Sequence, residues 1–201
     1  MTDVEAIIEL ELPKLLGWCT VEKAKRMAEL ARGAHLCVEL GVFGGRGLVA
    51  MALALKDQGF GSAHGVDPFT ATASREGTND PANAEWWARV DYDAVYRAAD
   101  RALQRLDLFE HARIIIRHSC EPGVVDVYPN EGIDVLHQDA NHSEETSCKE
   151  VKLWAPKIRA GGYWIFDDTD WASTQKAQRE LEALGFKEIE NHESWKVYRK
   201  P

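Results

Sequence analysis

The four cysteines, Cys19, Cys37, Cys120 and Cys148, include no C-x-x-C pair. Their wide spacing argues against a zinc site or a disulfide framework and suits reduced core thiols. Basic runs are equally scarce: nothing longer than "VYRK" appears, and the net charge is -9. Because nucleic-acid affinity rests on Lys and Arg displacing counterions, DNA and RNA are not expected partners. The N-terminus "MTDVEAIIELELPKLL" carries acids where a secretory leader carries basic residues, and it has no long uninterrupted apolar run. Neither a signal peptide nor a membrane span is expected, and the predicted location is cytoplasmic. No Pro/Gly/Ser-rich linker and no internal repeat divides the 201 residues. One domain, 1–201, is therefore expected, with an N-terminal helical segment at 1–33. The apolar stretch "IIELELPKLLGW" in that segment is a candidate dimer contact or lid.

Hydrophobic residues at 45% and charged residues at 28% give enough apolar material for a full core and set disorder aside. Short apolar runs alternate with stretches of helical period, which predicts an α/β fold with a parallel sheet and crossover helices. The expected strands are 35–40, 63–66, 112–117, 133–138 and 162–166, followed by an antiparallel hairpin of 187–190 and 194–198. The expected helices are 21–32, capped by Thr20, then 48–58, 92–106, 143–158 and 174–184, with Pro156 bending or shortening the fourth. Residues 68–92 are too long and polar for an ordinary connection and read as a lid or substrate-binding insertion. Adjacent Trp86 and Trp87 predict one ring packed inward and one free to cover a ligand, or else both anchoring a helix.

In "CVELGVFGGRG" a strand turns abruptly into a helix, with Gly41, Gly44, Gly45 and Gly47 between them. Glycines permit close approach of a ligand to the backbone, and a helix N-terminus offers free N–H groups. Glu39 at the strand end suits a cationic amine and would repel a pyrophosphate. Asp67, closing the second strand in "GVDP", is placed to accept from ribose hydroxyls, although Asp-Pro is also a common turn initiator.

These features, together with "DANHS" and "GGYWIFDD", resemble the class I S-adenosylmethionine-dependent methyltransferases. The similarity runs from about Gly17 to the final hairpin and is nearest the small metal-dependent O-methyltransferases of the macrocin-type sugar group, with the catechol O-methyltransferases more distant. The resemblance implies a Rossmann-like, seven-stranded sheet in the order 3-2-1-4-5-7-6 with the seventh strand antiparallel. It implies S-adenosylmethionine as cofactor, with Glu39 and Gly41 on the methionine portion, Asp67 on the ribose, Ser119 at the adenine, and Gly44 and Gly45 also among the cofactor-binding residues.

Asp139 ends the fourth expected strand, and Asp167 with Asp168 ends the fifth. Neighbouring parallel strands lie about 4.8 Å apart, so these carboxylates can converge on one hard cation, magnesium or manganese. Such an ion lowers the pKa of a bound hydroxyl, and adjacent oxygens could displace two of its waters at once, pointing to a vicinal diol in a sugar or catechol-like natural product. His142, three residues after Asp139, is the candidate general base, since an imidazole titrates near about 6.5. The related motif reads Asp-Gly-Asp-His-Ser-Tyr, and here Ala140, Asn141 and Glu144 depart from it. Competing expectations are a metal-independent methyltransferase with His142 as base, a non-catalytic S-adenosylmethionine-binding module, and a nicotinamide dehydrogenase.

Overall fold

In the computed structural model, which describes residues 3–78 and 80–201, two helices precede the sheet: α1 (Asp3–Glu11) and α2 (Val21–Ala31). Thr20 caps α2 as expected, its hydroxyl accepting from the Lys23 amide at 3.2 Å, and Ala24, Met27, Ala28 and Ala31 are buried. The chain continues through β1 (Leu36–Leu40), α3 (Arg46–Gln58) and β2 (Ser62–Val66). The 68–92 segment holds α4 (Ala71–Ser74) and α5 (Pro81–Ala88), and α6 (Tyr92–Arg105) returns to β3 (Ala112–Ile115). One turn of helix, α7 (Pro122–Val125), leads to β4 (Ile133–Gln138), α8 (Glu144–Trp154) and β5 (Ile158–Asp167). Then α9 (Gln175–Ala183) and the hairpin β6 (Lys187–Asn191) and β7 (Trp195–Arg199) complete the chain.

The sheet order is β3-β2-β1-β4-β5-β7-β6. The first five strands of that order pair in parallel and β7 is antiparallel to both neighbours, as the resemblance predicts. Pro156 ends α8 at Trp154 and opens a turn of 3-10 helix, so this helix stops short of Ile158. β5 in turn starts at Ile158, four residues before the expected Gly162.

Side chains alternate across each strand, and two apolar layers result. Cys37, Val135 and Ile165 face α1, α2, α3 and α6; Val38, Leu40, Leu136 and Phe166 face α8 and α9. Strand order reverses between β1 and β4, and the crevice outside the carboxyl ends there is where open α/β sheets bind ligands.

Behind this crevice a buried polar chain links three elements. Trp164 Nε1 donates to Gln138 Oε1 at 3.1 Å, Gln138 Nε2 donates to Glu150 Oε2 at 2.8 Å, and the Ser119 hydroxyl donates to Glu150 Oε1. Burial pushes the Glu150 carboxyl up to about 7, against the two hydrogen bonds it accepts. A folded pKa above the ordinary 4.5 means that the neutral acid stabilises fully below that value, and the contribution is lost as pH rises through about 7. Glu150→Gln is expected to be more stable than the parent at pH 8, by at most about 3 kcal/mol, and equally stable near pH 5. Urea denaturation at the two pH values measures this, and an equal difference at both would contradict it.

Candidate active site

The strand register assembles the site. Glu39 on β1 pairs with His137 on β4, and His137 pairs with Ile165 on β5. Two residues further along, Asp139 and Asp167 fall on the same sheet face as their strands end. All four side chains therefore point toward the layer that contains α2. His137 Nδ1 lies 2.9 Å from Glu39 Oε1, and both side chains are almost wholly buried. Across the cluster His137 Nε2 is 3.9 Å from Asp139 Oδ2. From α2, Lys23 Nζ reaches to 2.6 Å from Asp167 Oδ2, with the lysine side chain only 3% exposed.

This charge arrangement determines protonation. Burial works against the Lys23 charge, but the Asp167 and Asp139 carboxylates outweigh it, so the ammonium is held above the ordinary lysine value. Asp167 is drawn down to about 2 despite its burial, by the Lys23 charge and then by His137. Asp139 moves well up, first through burial and then through the charge of Asp167. Burial likewise drives Glu39 well up and His137 well down, so the imidazole is neutral.

His142 stands over the tips of β4 and β5. Its Nε2 lies 3.1 Å from Asp168 Oδ2 and 3.8 Å from Asp139 Oδ1, and its ring centroid is 5.3 Å from that of Trp171. Asp168 holds its carboxylate there from a left-handed backbone conformation, φ +49, which a non-glycine residue adopts at an energetic cost. Asp139, Asp167, Asp168 and His142 all line a cavity of about 500 Å³. One atom each from His137, Asp139 and Asp167 lies within 4.8 Å of the others, the one such group among the described residues. Two carboxylates and a neutral imidazole are a chemically suitable donor set for a divalent cation. Asp168 stands beside this trio, turned to His142.

The glycine turn packs against these groups. Gly41 has φ +87, and a Cβ on it would meet the Asp139 carbonyl oxygen at 2.0 Å; a Cβ on Gly47 would meet Glu39 Oε1 at 1.9 Å. Gly41 and Gly44 line the large cavity, whereas Gly45 caps α3 and faces Ala99. Asp67 accepts from the Val42 and Phe43 amides through Oδ2, at 2.9 and 3.0 Å, and from the Phe69 amide through Oδ1 at 2.7 Å. It therefore clamps the turn as well as lining a second, narrower cavity with His118 and Ser119. The Ser119 hydroxyl is turned to Glu150, so it presents no free donor to that cavity. The two cavities share Gly41, Phe43, Asn83, Trp87, Asp139, Ala140 and His142.

An aromatic wall lines the larger cavity. Trp18 stacks on Phe43 at 5.2 Å between centroids, and Trp86 and Trp87 meet both rings edge-on or tilted. α5 has no buried residue, so neither tryptophan packs into the core. Arg46 positions Trp18 by donating to the carbonyls of Leu15 and Cys19 at 2.8–3.0 Å. His137, Lys23, Arg46, Trp18 and Trp171 are parts of the site that motif reading passes over. His137 lies one strand repeat before Asp139, and Trp18 ends the apolar stretch expected to be a dimer contact or lid.

Residues 38–169 match the family model described as a methyltransferase domain. No curated protein matches the sequence closely enough to count as a relative. Among solved structures, the O-methyltransferase NovP shares 17% identity at TM-score 0.68, covering 92% of this chain and 83% of its own. A Bacillus cereus O-methyltransferase in complex with SAH shares 12% at TM-score 0.61, covering 100% of this chain and 92% of that one. A Thermotoga maritima SAM-dependent O-methyltransferase shares 12% at TM-score 0.62, covering 99% and 71%. At such identities these likenesses establish the class I methyltransferase fold.

If Glu39 receives the cofactor amine, Gly47→Ala is expected to weaken S-adenosylhomocysteine binding about tenfold or more, about 1.4 kcal/mol. Gly123→Ala, whose added Cβ meets nothing within 4 Å, is the control. Titration calorimetry reads both, and unchanged affinity in Gly47→Ala would remove Glu39 from the cofactor site.

Proposed function

The chain belongs to the methyltransferase domain family, and from that premise we propose that it methylates a hydroxyl of a small molecule, using S-adenosylmethionine. The observation that carries this reading is the junction of the two cavities at Gly41, Asp139 and His142. A methyl donor running from the narrower cavity beside Asp67 and Ser119, across the junction, to Glu39 in the larger one, and an acceptor in the rest of the larger cavity, would meet beside a base. Gly41, Gly44 and Gly45 form the turn against the donor, Glu39 receives its amine, Asp67 its ribose, and Ser119 lies at the adenine end.

The acceptor class follows from the larger cavity. Its volume suits a small molecule, and the Trp18, Trp86, Trp87 and Trp171 rings offer flat apolar faces to a sugar or an aromatic diol. Asp139, Asp167 and Asp168 are the carboxylates proposed to hold a divalent cation, magnesium or manganese. When bound, that ion makes an adjacent hydroxyl more acidic.

His142 removes the proton. With Nε2 facing the Asp168 and Asp139 carboxylates, the favoured tautomer carries its hydrogen on Nε2 and leaves Nδ1 as the acceptor. Asp168 fixes the ring and stabilises the imidazolium formed. The acceptor oxygen bonds to the methyl carbon as the carbon–sulfur bond breaks, and its electron pair leaves on sulfur.

A second reading has one observation in its favour: Lys23 already supplies a positive charge to Asp167, and the His142–Asp168 pair is complete without a metal. EDTA discriminates between the two. Loss of turnover with recovery on adding magnesium is expected, and unchanged turnover would leave the metal-independent mechanism. His142→Ala is expected to lower kcat by about 10²–10⁴-fold with cofactor affinity retained. Steady-state kinetics with calorimetry measures this, and an unchanged kcat would dismiss His142 as base.

A further inference from the structure

We infer that His137 is a nitrogen ligand of the divalent cation, so that the centre is a mixed imidazole–carboxylate site that favours a first-row transition ion over magnesium. This rests on the divalent-cation reading above and goes beyond its three aspartates. Four buried side-chain polar atoms lack a hydrogen-bond partner among the described residues, and three of them, Glu39 Oε2, His137 Nε2 and Lys23 Nζ, belong to this one cluster. Lys23 Nζ has its carboxylate at 2.6 Å, and Glu39 lines the larger cavity at the end proposed to receive the cofactor amine. His137 Nε2 has no such assignment.

A neutral imidazole carries one hydrogen. With Glu39 ionised, as its proposed role toward the cofactor amine requires, its Oε1, 2.9 Å from Nδ1, accepts that hydrogen, which leaves a bare lone pair on Nε2. That lone pair faces Asp139 Oδ2 at 3.9 Å, in the group whose third member is Asp167. A lone pair turned toward two carboxylates has nothing to bond with unless a proton or a cation lies between them, and an imidazole without a partner there is costly. Metal-bound histidines characteristically donate their other N–H to a carboxylate, which fixes tautomer and ring orientation, and Glu39 does so here. The 3.9 Å separation is too long for a hydrogen bond and is within the span of two metal–ligand bonds of about 2.1 Å each. Charge agrees with this reading. Asp139 and Asp167 face a single ammonium, Lys23, so once both are ionised negative charge is left for a cation to balance. An imidazole nitrogen beside carboxylate oxygens favours Mn²⁺ over Mg²⁺, because magnesium keeps to oxygen donors.

Mn²⁺ bound to the full-length protein is tested by titration calorimetry and by pulsed electron paramagnetic resonance, which detects coupling of the ion to imidazole ¹⁴N. The expected result is Mn²⁺ binding at least about tenfold tighter than Mg²⁺, with ¹⁴N coupling present in the parent and in His142→Asn. His137→Asn keeps a donor for Glu39 and removes the ligand atom, so coupling should vanish and Mn²⁺ affinity fall about tenfold or more. His137→Gln, offering an amide oxygen, should lose the coupling while retaining part of the affinity. Mn²⁺ binding without ¹⁴N coupling in the parent, or coupling that survives in both His137 variants, would overturn the inference and leave the carboxylate site standing. No Mn²⁺ binding by the parent would defeat the divalent-cation reading and this inference together. The parent and His142→Asn decide the matter even if a His137 variant does not fold.

Discussion

The site depends on one electrostatic constraint: carboxylates from three parallel strands are forced onto the same buried sheet face, where they cannot all ionise without cations. Strand register places Glu39, Asp139 and Asp167 there, and α2 delivers the Lys23 ammonium beneath them. Burial and then the charge of Asp167 drive Asp139 up, while Asp167, held by Lys23, is driven down. A cluster with this imbalance is costly to fold and is poised to accept positive charge.

The same constraint organises the surrounding backbone. β1 and β4 come close enough at their tips that Gly41 tolerates no Cβ beside the Asp139 carbonyl, and Gly47 leaves room for the Glu39 carboxylate. Asp67 then binds the amides of Val42 and Phe43, and Arg46 draws the loop before α2 over the cavity. The narrower cavity, the acidic centre and the aromatic wall are thus one connected structure. Disturbing the glycine turn would reach all three.

Much of this was legible in the sequence. Alternating apolar runs marked the α/β class, and β4 was bounded correctly because Ile133 to Gln138 is a continuous run interrupted only by polar residues with defined partners. The acidic strand ends and His142 were identifiable because their position beyond apolar strands has a chemical meaning. His137 and Lys23 were not, for opposite reasons. A histidine inside a strand reads as core until the pairing partner, Glu39, is known, and a lysine on an amphipathic helix reads as solvated until the helix is docked. The 68–92 segment was hard to read because α5 buries nothing, so its tryptophans carry no periodic signal and meet Trp18 and Phe43, which are distant in sequence. Ser119 shows the limit of assigning a role by position: it lies at the cavity, but its hydroxyl serves Glu150.

The most direct test is a crystal structure with Mn²⁺ and S-adenosylhomocysteine, using anomalous scattering to locate the ion. The account requires an anomalous peak bonded to Asp139 and Asp167, with the cofactor sulfur facing the His142 side of the junction. Diffraction showing the cofactor elsewhere, or Asp139 and Asp167 with no ion and Lys23 as their sole counter-charge, would contradict it.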